Sequence, residues 1–237
     1  MLFSHWHPQL ALRYLPIVNW IKKQKLIKSQ ILEVGSGSLG IGPYLKKSFT
    51  GVDVGFSGPQ WPGMRQVKAS ADRLPFDSDS FDVAISVDVL EHLQPQHRSQ
   101  AVRELFRVAT KAVIIAVPCG AQSQLQDRVL YQEYQAKFGN PFPFLEEHLT
   151  YGLPIRSTVI SWIKAAAKTY GKDINIQEQG NRNLSLRLWL MRGWMTKNPF
   201  TDIFFRKVLL LSLPLLFLFD RRPPYYRQIF FVKVNQS

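Results

Sequence analysis

The sequence has 237 residues, of which 46% are hydrophobic, enough to bury the core of one α/β domain and to exclude a mainly disordered chain. Cys119 is the only cysteine, which excludes an internal disulfide and a thiolate metal cluster and favours a reducing, cytoplasmic setting. The net charge of +13 is uneven, because residues 151–237 carry 14 Lys/Arg against 4 Asp/Glu, whereas residues 1–150 carry 16 against 13. This basic C-terminal third would attract phosphate-bearing partners, anionic lipid headgroups or nucleic acid.

The first half of the chain alternates between strand and helix patterns. Residues 1–9 show no secretion signal, because no basic region precedes a long apolar stretch. Apolar side chains at a helical period over residues 9–28 predict a lead-in helix. The pattern then predicts strand 31–34, helix 40–47, strands 49–54, 64–68 and 81–87, helix 95–109 and strand 112–117. This order predicts a parallel sheet with right-handed crossovers.

A glycine-rich turn follows the first strand. Gly35, Gly37 and Gly40 fit G-x-G-x-x-G, and Asp53 lies 18 residues after Gly35, near the spacing at which a carboxylate meets a ribose hydroxyl. The turn alone is compatible with NAD or with S-adenosylmethionine. Glu33 would lie close to the pyrophosphate of a dinucleotide, so its negative charge favours the cationic S-adenosylmethionine.

The alternation is interrupted after the fifth strand. Residues 119–154 combine a polar helical segment with a proline-containing stretch, and we expect this insertion to cap the site. The later patterns predict helix 158–170, strand 174–179, helix 184–195 and a last strand, 226–234. No internal repeat is present, so we assign 1–237 to a single domain with a lead-in (1–29), a cofactor-binding half (30–118), the cap (119–154) and a C-terminal half (155–237).

One strongly apolar segment, residues 208–219, reads VLLLSLPLLFLF between basic pairs. Twelve residues are too few for a helix that spans a bilayer, which needs about 20. Two interpretations remain open. The segment is either a buried helix that covers one face of the sheet or an interfacial anchor whose flanking arginines meet anionic headgroups.

A second motif, beginning at Ala69, reads ASADRLPFDSDSFDVAISVDVLEHL. Together with LEVGSGSLG it resembles the class I S-adenosylmethionine-dependent methyltransferases, in the subgroup with an A-D-x-L-P-F element before the fourth strand. The resemblance covers about residues 30–118. It implies a three-layer, Rossmann-like α/β fold with a seven-stranded, mostly parallel sheet and an antiparallel last strand.

The resemblance also implies which residues hold S-adenosylmethionine. A loop beneath the methionine part would contact its amino group through Glu33, and Asp53 would accept hydrogen bonds from both ribose hydroxyls. Asp72 would accept from the adenine amino group. The implied cofactor-binding set is Glu33, Gly35, Ser36, Gly37, Asp53, Val54, Asp72, Arg73, Leu74, Val87 and Asp88.

Methyl transfer to a hydroxyl also requires removal of a proton, for which Asp88, His92 and His148 are the candidate bases. The stretch EEHLTYGLP is similar to bacterial methyltransferases of polysaccharide or glycolipid assembly. We therefore predict transfer at oxygen to a small-molecule, glycan or lipid-linked acceptor, with peripheral contact to an anionic membrane and no metal site. The alternatives are an RNA methyltransferase, a NAD-dependent oxidoreductase, or a non-catalytic, membrane-associated binding module.

Overall fold

Seven strands form one sheet in the computed structural model, which describes residues 6–235. The strand order is β3-β2-β1-β4-β5-β7-β6, and β7 runs antiparallel to both of its neighbours. The other paired strands are parallel. This arrangement confirms the predicted fold class. The strands are β1 (Ile31–Val34), β2 (Phe49–Asp53), β3 (Met64–Lys68), β4 (Phe81–Val87), β5 (Ala109–Pro118), β6 (Ile174–Asn183) and β7 (Tyr225–Val234).

Helices cover both faces of the sheet because successive strand residues point to opposite sides. In β1, Ile31 belongs to the core that includes side chains of α1, α2, α7 and α9, whereas Leu32 belongs to the second core, which includes side chains of α3 and α6. Short 3-10 helices occupy Leu90–His92 and Val208–Ser212. The α-helices are α1 (Pro8–Lys23), α2 (Gly42–Leu45), α3 (Pro95–Val108), α4 (Ala121–Phe138), α5 (Pro143–Tyr151), α6 (Arg156–Thr169), α7 (Leu184–Trp194), α8 (Pro199–Arg206) and α9 (Leu213–Asp220).

Several predicted boundaries differ from those observed. The helix expected over 40–47 is reduced to α2, because Gly40 has a positive φ of 48° and Lys46 adopts the left-handed conformation that ends the helix. The lead-in helix ends at Lys23 rather than at residue 28, just before Lys25 with its φ of 60°. Strand β6 extends to Asn183, four residues beyond its predicted end, because it pairs with β7 along this whole length.

The region expected to form a cap contains α4 and α5, which pack against each other and around a small apolar cluster with α7. The assignment of this region as a cap and of 1–237 as one domain stays a prediction. The expectation that residues 1–9 carry no secretion signal rests partly on residues 1–5, which lie outside the described residues.

The apolar segment 208–219 is neither a fully buried helix nor a fully exposed one. Pro214 lies in the first turn of α9, so the segment is split into a 3-10 helix and α9. Leu209, Leu213 and Leu216 are buried against the α1 side of the sheet, whereas Leu211 and Leu218 are exposed. Among residues 6–235, no helix combines the length and the apolar character needed to cross a membrane.

Candidate functional site

A cavity of about 970 Å³ lies where β1, β2 and β4 end. Open α/β sheets bind their ligands at the carboxyl ends of the strands, in the crevice where the strand order reverses, which here lies between β1 and β4. The cavity wall continues from the glycine-rich loop to the 3-10 helix after β4, and from there to α5 and α7. Because its volume of about 970 Å³ lies at the upper end of the range for ligand pockets, the cavity is large enough for a nucleoside-sized ligand together with an acceptor.

The glycine-rich loop is held by backbone hydrogen bonds to β2. The amides of Gly35 and Ser36 both donate to the carbonyl oxygen of Val52, at 2.7 and 3.1 Å. Gly35 has a φ of 75°, and a Cβ atom there would lie 2.1 Å from Cγ2 of Val89. Glycine is required at this position because both the backbone conformation and the neighbouring side chain exclude a larger residue. Gly35, Ser36 and Gly37 line the cavity, as predicted for a cofactor-binding loop.

Glu33 lies behind the loop and is fully buried. One carboxylate oxygen accepts a hydrogen bond of 2.7 Å from the amide of Ile41, and this contact holds the start of α2. Burial raises the pKa of Glu33 to about 7, and the Ile41 amide offsets only part of that effect. The structure thus gives Glu33 a role in shaping the loop, and its predicted contact with the cofactor's amino group stays a prediction.

Asp53 ends β2 and faces the cavity beside Val54. Its two carboxylate oxygens accept hydrogen bonds from the amides of Gly37, at 2.8 Å, and Gly55, at 3.2 Å. A carboxylate has about four acceptor positions, so these contacts leave capacity for ribose hydroxyls. Asp53 therefore connects the glycine loop to the predicted ribose position.

The predicted adenine residues are placed differently. Asp72 and Arg73 line a second cavity of about 550 Å³, and Leu74 is buried in the core. The Asp72 carboxylate is occupied by the Ser70 hydroxyl at 2.5 Å and by His97 at 2.8 Å. The structure does not bring these three residues into the large cavity. Residues next to them in sequence line its wall instead: Ala69, Ser70 and Ala71, with Gly55, Ser57 and Pro59 from the loop after β2.

Val87 and Asp88 lie at the end of β4, and both line the large cavity. The Asp88 carboxylate forms a bidentate pair with Arg227 and a second pair with Arg13 at 2.9 Å. Burial would raise the pKa of Asp88, but the two guanidinium groups outweigh burial and hold it well below its usual range. Asp88 is therefore a weak base, and its clear role is to hold two arginines at the cavity.

Two histidines lie next to each other on the opposite wall. His92 ends the 3-10 turn after β4, and His148 projects from α5. Nδ1 of each ring lies within hydrogen-bond distance of a carboxylate oxygen: Nδ1 of His92 is 2.6 Å from Glu147, and Nδ1 of His148 is 2.8 Å from Asp127. Their Nε2 atoms face each other at 3.4 Å. Burial lowers the pKa of His92, and so does His148, although Glu147 partly offsets these effects.

Asp127 on α4 is fully buried and fixes the orientation of His148. Its second oxygen accepts from Arg187 at 2.6 Å, and the Tyr226 hydroxyl donates to the oxygen that faces His148, at 3.0 Å. Sequence reasoning missed Asp127 because one acid in a polar helix has no distinguishing pattern. Arg227, also missed, did carry a signal, because an arginine within the apolar strand β7 requires a buried acidic partner.

Glu91 lies beside His92 and His148. The side chain is fully buried, and neither carboxylate oxygen has a hydrogen-bond partner among residues 6–235. Burial raises the pKa of Glu91 well above its ordinary value, and the negative charge of Asp88 adds to that increase. A buried carboxyl group without a partner is unusual and points to an interaction with a ligand.

The remaining wall of the cavity is both basic and apolar. Arginine side chains from several elements line it, and aromatic and aliphatic side chains of α5, α7 and the loop before α5 lie opposite. One of the arginines, Arg182, is more than nine-tenths buried, and one of its terminal nitrogens has no hydrogen-bond partner in the described part of the chain. The basic set is Arg13, Arg182, Arg187, Arg206 and Arg227, and the apolar set is Phe142, Phe144, Leu145, Met191 and Trp194.

Residues 32–117 match a protein family described as "Methyltransferase domain". Among curated proteins, the phthiotriol/phenolphthiotriol dimycocerosates methyltransferase of Mycobacterium leprae is 36% identical over 91 residues. The enzyme of the same name from Mycobacterium tuberculosis is 35% identical over 91 residues. Each alignment covers 33% of this chain and 33% of the relative, so the match spans about a third of the length of these relatives.

Solved structures share the fold at low sequence identity. A protein of Anabaena variabilis, described as a putative methyltransferase from an antibiotic biosynthesis pathway, has a TM-score of 0.52 and 16% identity and covers 92% of this chain and 98% of its own. The methyltransferase domain of a bacterial Hen1 protein has a TM-score of 0.52 and 15% identity and covers 95% and 98%. The family match covers residues 32–117, and the sheet order and the glycine loop agree with the fold of the class I S-adenosylmethionine-dependent methyltransferases.

Proposed function

We propose that the protein transfers a methyl group from S-adenosylmethionine to an oxygen atom of a small, lipid-linked or glycan acceptor. The observation that carries this proposal is one cavity that joins the glycine loop and Asp53 to the paired histidines and the arginine-rich wall. Donor and acceptor would meet where β4 ends, because Val89 packs on Gly35 and is followed three residues later by His92.

The cofactor would be held by the loop Gly35–Gly37 and by Asp53, whose positions fit a nucleoside with an amino-acid tail. When bound, S-adenosylmethionine supplies a methyl group on a sulfonium, and its transfer to a hydroxyl leaves a neutral thioether and one proton to be removed. The protein must therefore align the acceptor, exclude water and give the hydroxyl proton a path out of the cavity.

The paired histidines would orient the acceptor hydroxyl. In this proposal Nδ1 of His92 donates to Glu147 and Nδ1 of His148 donates to Asp127, which leaves Nε2 of each neutral ring as a hydrogen-bond acceptor. A hydroxyl that donates to one of these nitrogens is held in place with its oxygen free to attack. We do not propose that Asp88 orients the acceptor hydroxyl, because its carboxylate is paired with Arg13 and Arg227.

The acceptor side favours a molecule with both apolar and anionic parts. Phe142, Phe144 and Trp194 offer aromatic surface, and Arg182 and Arg206 offer positive charge in the same cavity. The curated relatives are named for action on phthiotriol and phenolphthiotriol dimycocerosates, and these names support an acceptor that carries a lipid. We therefore favour a lipid-linked acceptor whose polar end includes a phosphate or another anion.

We further propose that residues 199–220 rest on an anionic membrane surface. Helix α8 has no buried residue, and Phe200, Ile203 and Leu211 are 81%, 56% and 84% exposed. The adjacent Arg221 and Arg222 would meet anionic headgroups while the apolar side chains enter the acyl boundary. Arg206, the last residue of α8, lines the cavity, so a docked segment would lie beside the acceptor's entrance.

The direct test supplies labelled S-adenosylmethionine and purified protein to an extract of the source cells. The proposal predicts that label appears in a small molecule extractable with organic solvent and that a Gly35→Ala variant transfers none. Label recovered in RNA would instead establish the RNA methyltransferase that the basic C-terminal third also allows. Absence of any labelled acceptor, despite intact cofactor binding, would support a non-catalytic binding module.

A further inference from the structure

We propose that Glu91, His92 and His148 form a binding site for a divalent transition-metal ion that holds the acceptor oxygen. The inference deepens the proposed methyl transfer and rests on it for the role of the ion. One ligand atom from each of the three residues lies within 4.8 Å of those of the other two. This proposal differs from the expectation from sequence that the chain has no metal site, which stays untested.

The histidine geometry is the first argument. Two ligands bound at about 2.1 Å to one ion in a tetrahedral arrangement are separated by about 3.4 Å. The Nε2 atoms of His92 and His148 are 3.4 Å apart. In the neutral tautomer in which each Nδ1 donates to its carboxylate, the two Nε2 atoms present lone pairs to each other. A cation between them turns this unfavourable contact into coordination.

The second argument is the environment of the two rings. Metal-binding histidines commonly donate their other ring N–H to a carboxylate, which fixes the tautomer and strengthens the ligand. Asp127 does this for His148, and Glu147 does it for His92. Asp127 is itself held by Arg187 and Tyr226, so His148 is rigidly presented to the cavity.

The third argument is Glu91, which is independent of the histidines. Its buried carboxyl group has two oxygens without hydrogen-bond partners among the described residues. The positive charges of Arg13 and Arg227, which act on this group, are already engaged because both arginines pair with Asp88. A metal ion would supply the partner that both oxygens lack among the described residues.

The chemistry of the ligands indicates which ions fit. Two imidazoles and one carboxylate suit Zn²⁺, Mn²⁺, Co²⁺ or Fe²⁺, whereas Mg²⁺ and Ca²⁺ prefer oxygen ligands. Three protein ligands leave an open position toward the cavity, as in catalytic metal sites. With the ion bound, both Nε2 atoms would be occupied, so the acceptor hydroxyl would bind the ion instead of a histidine nitrogen. There it would become more acidic and lose its proton to water, without any change in the oxidation state of the metal.

Metal titration of the chelator-treated, full-length protein tests the site. We expect one equivalent of Co²⁺ to bind with visible d–d absorption, and Zn²⁺ or Mn²⁺ to raise the thermal midpoint. The variants Glu91→Gln, His92→Asn and His148→Asn should each bind at least tenfold more weakly, because even the loss of a residue that only orients a ligand costs about 10–100-fold in metal affinity. His97→Asn is the matched control, because His97 also pairs with a carboxylate but lies outside the cavity and should leave metal affinity unchanged.

Two outcomes would overturn the inference: no stoichiometric metal binding, or equal binding by the three variants and the wild type. Methyl transfer that persists after complete chelation would overturn the role of the ion. Titration with S-adenosylhomocysteine separates this inference from the proposed function. Metal binding without any S-adenosylhomocysteine binding would contradict the methyltransferase, whereas the reverse result would contradict only the metal site.

Discussion

Glu33 is fully buried behind the glycine-rich loop, and its sequence motif predicted the position of the side chain but not its burial. The sequence motif suggested a cofactor contact, and the structure shows a buried carboxyl group that holds the Ile41 amide. Its position was predictable because the strand–glycine-turn pattern is local. Its burial was not, because it depends on how α2 and the loop fold back over β1.

Replacement of Glu33 by Gln should change how stability depends on pH. Because folding raises the pKa from 4.5 to about 7, the protonated carboxyl group favours the folded state, and that advantage is lost as pH rises between these values. The loss amounts to about 3 kcal/mol of unfolding free energy. Urea denaturation across this range should show a decline in the wild type that is smaller by this amount in Glu33→Gln. Parallel profiles would contradict the shifted pKa.

Gly35 permits a sharp test of the loop, because Gly139 has the same φ of 75° and no described atom within 4 Å of the place where a Cβ atom would lie. Gly139→Ala should lower the free energy of unfolding by about 1 kcal/mol through backbone strain alone. Gly35→Ala adds the contact with Val89 and should also weaken S-adenosylhomocysteine binding at least tenfold, as measured by calorimetry. Wild-type affinity in Gly35→Ala would show that the loop does not hold the cofactor.

Helices α4 and α7 are joined by two arginine–carboxylate pairs that differ mainly in burial. Asp127 pairs with Arg187 in the interior, and Glu133 pairs with Arg192 at the surface. Removal of one partner from a buried pair leaves an uncompensated charge, whereas exposed pairs are screened by water. The two pairs therefore provide an internal comparison on the same pair of helices.

Asp127→Asn should lower the free energy of unfolding by about 3–5 kcal/mol. Glu133→Gln, which changes the surface pair, should leave it unchanged within error. Chemical denaturation of both variants at one pH measures the difference. Equal effects would mean that Asp127 does not organise the packing of α4 on α7, and the rigid presentation of His148 would lose its support.

For the apolar segment 208–219, the sequence indicated the alternatives and the structure shows which side chains are buried. The sequence predicted either burial or interfacial contact, and the structure shows buried Leu209, Leu213 and Leu216 beside exposed leucines. A hydropathy pattern could not separate the two faces, because residues 208–219 are apolar all round and are interrupted at Pro214. The distribution between buried and exposed positions is set by α1, which lies far away in sequence.

Co-sedimentation with vesicles tests the membrane proposal. The wild type should sediment with vesicles that contain anionic lipid and less with neutral ones, and added salt should weaken the binding. The double variant Leu211→Gln and Leu218→Gln should bind at least tenfold more weakly, because each buried leucine contributes about 1.5–3 kcal/mol. Leu125→Gln, at a leucine that is 62% exposed on α4, is the matched control and should bind as the wild type. Failure of the wild type to bind either vesicle would contradict the proposal.

At the scale of the whole molecule, the sequence predicted the strands of the sheet, but it did not predict helices α5 and α8. Period-two and period-3.6 patterns are local, and each strand of the central sheet carries an apolar pattern of its own. The part of the cavity proposed to bind the methyl acceptor was predicted only incompletely. His92 and His148 were candidates, but Asp127, Arg187 and Arg227 enter the site from three distant elements. No local pattern brings such residues together, because their proximity follows from the packing of α4, α7 and β7.

The measurement that tests the account most directly is calorimetric titration of the protein with S-adenosylhomocysteine and, separately, with NAD. The account predicts one S-adenosylhomocysteine site and no NAD binding, with affinity weakened by about 1.5–3 kcal/mol in Asp53→Ala through loss of a charged hydrogen-bond acceptor. Binding of NAD without S-adenosylhomocysteine would contradict the assigned cofactor and, with it, the proposed methyl transfer.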